Sequence, residues 1–363
     1  MTFKSLTATA IAALIALGTA AQAEEVRVYN WSDYIDESLL SKFEEETGIK
    51  LIYDVFDSNE VLETKMLAGG SGYDVVVPTG TFLQRQISAG AFQKLDKSKL
   101  PNIKNMWDVI SARTAKYDPG NEYAINYMWG TTGIGVNLGK VKEVLGEDAP
   151  IDSWDLVFKP ENMEKLASCG VYFLDAPAEM IPAALKYIGA DPDSHDPDVI
   201  AKVEPVYMAI RPYIQKFHSS EYINALANGD ICVAVGWSGD VLQARDRAAE
   251  ADNGVEIAFN APKEGAQMWF DMMAIPTDAP NPDAAHKFLN FIMDAQNMAA
   301  ASNYVYYANG NKASQEFLNE DVIGDPAIYP SAEAMDNLFT TTPYNAKVQR
   351  VVTRLWTKIK SGT

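Results

Sequence analysis

"YDVVVP", Tyr73 to Pro78, is a continuous β-branched run fenced by Gly72 and Pro78. A strand covered by helices on both faces reads this way, because neither side of its pleat meets water. Its surroundings complete a repeating unit. "VRVYN" (Val26 to Asn30) is a short apolar strand. Leu39, Leu40 and Phe43 then make one apolar helix face, and Gly48 suits the helix C-cap. "IKLIYDVF" alternates at period two between Ile49 and Val55, so it predicts a strand. Ser58 can cap a second helix that runs to Ala68 and stops at Gly69-Gly70. The order is βαβαβ, and parallel strands joined by helices imply a doubly wound α/β sheet.

The same logic recurs downstream. A turn at "DPGN" (Asp118 to Asn121) leads into the extended stretch "EYAINYMWGTTGIGVN", read here as a crossing to a second lobe. That lobe predicts a strand "GVYFL", a helix from Pro177, a helix from Ser220, a strand "DICVAVGW" and a helix from Ser238 or Gly239. "GVEIAFNAP" looks like the return crossing, and "MWFDMMAIP" a strand of the first lobe followed by the helix "DAAHKFLNFIM". The amphipathic "VQRVVTRLWTKIK" closes the chain. Two α/β lobes with at least two crossings place a cleft between them.

Bulk properties narrow the function. Lys4, the small apolar run from Leu6 to Ala20 and "AQA" (Ala21 to Ala23) read as a secretory signal over residues 1–23. No later stretch is long and apolar enough to span a bilayer. The 363-residue chain carries a net charge of −19, which disfavours nucleic acid and anionic lipid as partners. Three histidines in the whole chain argue against a His-rich metal site. Cys169 and Cys232 are its two cysteines; in an exported protein they read as one disulfide or as two buried thiols.

Ligands of open α/β sheets sit outside the carboxyl ends of the strands. Applied here, that rule selects Trp31, Ser32, Asp33 and Tyr34 after the first strand, and Thr79 after "VVVP". It also selects Asp175 and Glu179 after "VYFL", Trp237 and Asp240 after "CVAVG", and Trp269, Phe270 and Asp271 on the late strand. Each is an aromatic, a hydroxyl or an acid, and none is Lys or Arg. Carboxylates bond ammonium groups, aromatic faces attract cations and cover methylenes. A linear molecule with cationic ends and an aliphatic middle satisfies all of these demands. Singly, the residues have plainer readings. Asp175 suits a helix N-cap, Asp33 could cap the first helix, Glu179 and Asp240 lie in first helical turns, and Trp237 and Trp269 could be core.

No GxSxG, HExxH or GxxxxGK[ST] motif occurs. A carboxylate pair such as Asp240 and Asp271 leaves open a secreted glycosidase-like hydrolase, and the aromatics leave open an oligosaccharide-binding protein.

"YNWSDYI", "YDVFDSNEVLETKMLAG", "YMWGTTGIGVN", "DSWDLVFKPEN", "FLDAP", "FHSSEYINALANGDICVAVGWSGD" and "VYYANGNKAS" together resemble the periplasmic putrescine- and spermidine-binding proteins of polyamine ABC importers, nearest the putrescine receptors. The resemblance covers essentially the whole chain after residue 23. It implies an α/β, two-lobed type II periplasmic binding protein with hinge crossings between two doubly wound sheets. The expected lobes are 24–131 plus 258–306 and 132–257 plus 307–363. It implies an aromatic box of Trp31, Tyr34, Trp237, Trp269 and Tyr307, an ammonium site at Asp240 and Asp271, and polar contacts from Ser32, Thr79 and Glu179, with Glu179 toward the far amine. Asp33 falls near the ligand, and Cys169 and Cys232 form a disulfide. The implied protein is a monomeric, non-enzymatic periplasmic receptor without cofactor or metal, whose partners are a polyamine and a membrane permease. Three positions depart from the pattern. "TGT" (Thr79 to Thr81) stands where relatives often have serines and an alanine, Trp269 where putrescine-preferring relatives commonly have Phe, and Asn126 where a Pro is often seen.

Overall fold

The computed structural model describes residues 24–363; the expected signal segment 1–23 lies outside them. Among the described residues the strands are β1 (Glu25–Trp31), β2 (Lys50–Phe56), β3 (Val75–Val76), β4 (Ala124–Asn137), β5 (Val171–Phe173), β6 (Lys216–Phe217), β7 (Val233–Trp237), β8 (Ile257–Asn260), β9 (Gln267–Ala274) and β10 (Ala308–Asn309). They hydrogen-bond in the order β2-β1-β3-β9-β4-β7-β5-β6, with β8 and β10 also on β4.

The opening unit forms as its pattern requires. β1 pairs parallel with β2 and β3, and the connections are the helices Glu37–Thr47 and Asn59–Ala68. Gly48 ends the first helix in the left-handed conformation, φ 69°, and the Ser58 side chain caps the second through Val61 N. Val75, Val76 and Val77 are wholly buried, although only the first two pair as strand. The period-two reading of β2 gives way to an outer-edge strand. β2 pairs with β1 alone, and Phe56 is its one buried residue.

The second half mirrors the first. β5 pairs parallel with β6 and β7, so each half runs second–first–third strand before an antiparallel neighbour. The stretch from Ala124 to Asn137 is one buried strand that serves both halves. Its early residues pair with β9, and Thr132–Val136 pair with β7. A single shared strand therefore makes the two halves one ten-stranded sheet.

The expected crossing points shift. β8 pairs with Ile134–Asn137, in the second half, so the chain returns at the loop before β9 and not at 258. β10 pairs with Met128 and Trp129, so the chain just after 307 still lies in the first half. Its last helix, Ala346–Ser361, packs its buried Val352, Leu355 and Trp356 toward the second half, where the Trp356 ring meets Tyr207 and Phe217. Cys169 and Cys232 form a disulfide with a Cα–Cα distance of 5.4 Å. Among the described residues no helix is long and apolar enough to cross a membrane, and no cluster of His, Cys, Asp and Glu could hold a metal ion.

Candidate functional site

β1, β3 and β7 end at a cavity between the two halves. Its wall carries Trp31, Ser32, Tyr34, Thr79, Trp269, Asp271 and Tyr307 on the first-half side, and Glu179, Trp237 and Asp240 on the second. Asp57 and Ser219 complete it. Four carboxylates and five aromatic rings thus face one space, and no Lys or Arg among the described residues lines it.

The rings are held by their polar edges and by one another. Trp31 Nε1 donates to the Val77 carbonyl at 2.9 Å, which sets the ring against the end of β3. Its ring meets that of Trp237 edge-on at 5.5 Å across the cleft. Trp237 Nε1 donates to Glu179 at 2.8 Å. Tyr307 stands edge-on to both Tyr34 (5.2 Å) and Trp269 (5.4 Å). Trp269 Nε1 is buried and meets no acceptor among the described residues.

Hydroxyl groups hold each deep carboxylate. Asp271 accepts from Thr79 Oγ1 at 2.6 Å and from Tyr34 at 2.8 Å. Asp240 accepts from Tyr222 and Tyr307, each at 2.7 Å. Glu179 accepts from Thr132 as well as from Trp237. These donors favour the ionised forms, yet burial outweighs them. Desolvation pushes Asp271 and Glu179 up to about 7 and Asp240 up to about 6. Acids raised in this way, in a cavity that no Lys or Arg among the described residues lines, form a site that favours a positively charged guest.

Three candidates stand elsewhere. Asp33 lies in a left-handed turn, φ 55°, and does not cap the first helix; Asp36 does. The Asp33 carboxylate instead pairs with Arg247 at 2.6 Å, from one half to the other. Asp175 neither caps its helix nor reaches the cavity, and accepts from Trp356 and Lys360, each at 2.7 Å. Phe270 faces the core, because its neighbours on β9 face the cavity. Asp57 was open to the strand-end rule, since it follows β2 directly, but beside Ser58 it reads as part of a cap. Ser219 carried no such signal. Its Oγ is buried and unpartnered.

A two-part sheet with one long shared strand, and a charged, aromatic cavity where the halves meet, defines a protein that encloses a small solute. The chain belongs to the bacterial extracellular solute-binding proteins, whose family pattern it matches over residues 38–330. It is 55% identical over 360 residues to the putrescine-binding periplasmic protein SpuD of Pseudomonas aeruginosa, covering 99% of this chain and 98% of that one. It is 53% identical over 350 residues to the putrescine-binding periplasmic protein PotF of Escherichia coli, covering 96% and 95%. Among solved structures, a putative spermidine/putrescine ABC transporter protein of Listeria monocytogenes superposes with a TM-score of 0.82 at 31% identity, over 93% of this chain and 99% of that one.

Proposed function

We propose that this protein is a periplasmic receptor that captures a linear polyamine, putrescine foremost, and hands it to the membrane permease of an ABC importer. The observation that carries the reading is a cavity lined by four carboxylates and five aromatic rings, with no Lys or Arg lining it among the described residues. Asp240 and Asp271 bind one ammonium group, and Glu179 binds the far one. Trp31, Tyr34, Trp237, Trp269 and Tyr307 cover the methylenes, at about 0.8 kcal/mol per buried CH₂. Ser32 and Thr79 add polar contacts. A zwitterionic amino acid would bring its carboxylate among acids, and a sugar would leave the acids uncompensated.

The relatives named above as putrescine-binding proteins support this reading over the hydrolase and the oligosaccharide receptor. Residues 1–23 act as the export signal, and the receptor works as a monomer. Its lobes are 24–131 plus the region from β9 to β10, and 132–260 plus the C-terminal helix, which close on the ligand by hinge motion.

Titration calorimetry of the purified protein with putrescine, cadaverine, agmatine, spermidine and spermine tests the proposal. Binding tighter than about 10 μM to at least one of them is expected. Failure to bind any below millimolar concentration rejects it.

A further inference from the structure

Gly239 is the second residue of the helix Ser238–Glu250, and its backbone is that of an ordinary helix. Nothing in that conformation asks for glycine, which costs about 1 kcal/mol relative to alanine inside a helix. The reason lies across the cleft. A Cβ at 239 would fall 2.5 Å from Tyr307 Cδ2 and Cε2 and 2.6 Å from Cζ. The Tyr307 ring has no room to retreat, because Tyr34 and Trp269 stand edge-on to it from its own side and it is 1% exposed. Its backbone is tied to the first half. Ser302 Oγ donates to its carbonyl at 2.7 Å, and the next residue, Ala308, pairs with Trp129. Gly239 follows β7 in the second half. The contact therefore joins the two halves.

The same approach carries a reciprocal pair of hydrogen bonds. Tyr307 donates to Asp240 Oδ1 at 2.7 Å, and Asp240 N donates back to the Tyr307 hydroxyl at 3.1 Å. We infer that Gly239 gauges closure of the cleft: the missing side chain lets the helix start descend onto the Tyr307 ring until Asp240 reaches the Tyr307 hydroxyl. Gly239 touches no ligand; it is a positioning residue. The inference rests on the proposed reading of a polyamine receptor that closes on its guest.

A double-mutant cycle tests it, with calorimetric titration of putrescine and small-angle X-ray scattering on the wild type, Gly239→Ala, Tyr307→Leu and the double variant. The wild type should bind and contract. Gly239→Ala should lose about tenfold or more in affinity, as overpacking does, and contract less on saturation. In the Tyr307→Leu background the same substitution should cost less than about threefold, because the obstructing ring is gone. The ligand-free Gly239→Ala protein should melt no lower than the wild type, since alanine suits the helix better. Equal losses in both backgrounds, undiminished contraction or a lower ligand-free melting temperature would overturn the role. A wild type that binds no polyamine would instead overturn the receptor reading beneath it.

Discussion

Asp271 and Tyr34 stand 237 residues apart in the chain and share a 2.8 Å hydrogen bond on the first-half wall of the cavity. Thr79 fills the other carboxylate oxygen at 2.6 Å. The acid is thus aimed by two hydroxyl donors, and in the closed cleft burial outweighs them and pushes it up to about 7.

That balance predicts opposite pH responses for free and loaded protein. Asp271 and Glu179 titrate at about 7 and Asp240 at about 6 when folded. The same acids ionise near 4 in an unfolded chain. Between those limits the closed form without a guest binds more protons than the unfolded chain, so the stability these groups contribute to it is present at low pH and is lost as pH rises toward 7. A dication needs the ionised forms, so putrescine affinity should rise over the same range, with proton release on binding. Melting curves with and without saturating putrescine at pH 5, 6, 7 and 8 check this. The gap between the two melting temperatures should widen with pH, and a constant or shrinking gap contradicts it.

Asp240→Asn should cost about 3–5 kcal/mol of putrescine affinity, since an ammonium enclosed without its carboxylate remains largely uncompensated. The ligand-free protein should keep its melting temperature or gain slightly, because a desolvated acid is removed while one acceptor remains for Tyr222 and Tyr307. Calorimetry and a thermal melt on the same sample separate the two effects. An unchanged affinity would reduce Asp240 to an acid in a first helical turn.

Trp269 offers a test of ligand length. Its indole N–H is buried without an acceptor among the described residues, so replacement by Phe breaks no hydrogen bond within them. The smaller ring withdraws one wall of the cage. Phe is the residue that the putrescine-preferring relatives resembled by the sequence commonly have here, so Trp269→Phe should weaken both amines through lost contact but move the affinity ratio toward putrescine, by about tenfold. Competition titrations of the two amines read that ratio. A shift toward spermidine would show that the indole restricts ligand length and does not extend the site's reach.

Much of this arrangement was legible in the chain. β1, β3 and β7 were readable because apolar runs end abruptly in aromatics and acids, and that transition marks where an α/β sheet meets its cleft. What holds the acids was not readable. Tyr222 reaches Asp240 from a helix 18 residues earlier, and Thr132 meets Glu179 from the shared strand 47 residues away. Neither pairing has a local pattern, because both exist only once the sheet has assembled. The position of β8 was hidden for a related reason: an extended segment says nothing about which end of a fourteen-residue partner it will join. Asp33 misled through composition. An acid beside Tyr34 looks like part of the cage, but a left-handed turn swings it toward Arg247.

The disulfide separates stability from binding. Cys169 lies two residues before β5 and Cys232 one before β7, and these strands run parallel, so the bond ties the starts of two paired strands. The cavity lies at the other end of β7, beyond Trp237. Closing a loop with a sequence separation of 63 restricts the unfolded chain by about 4 kcal/mol on the chain-entropy account. The double variant Cys169→Ser/Cys232→Ser should therefore lose about that much stability in denaturant titrations. Its putrescine affinity under native conditions should stay within about twofold of the wild type, because the backbone bonds of β5 to β7 persist and position Trp237 without the sulfur link. Loss of affinity in step with stability would mean that the start of β7 is coupled to its ligand-facing end, and unchanged stability would mean that the strand pairing alone already fixes the second half.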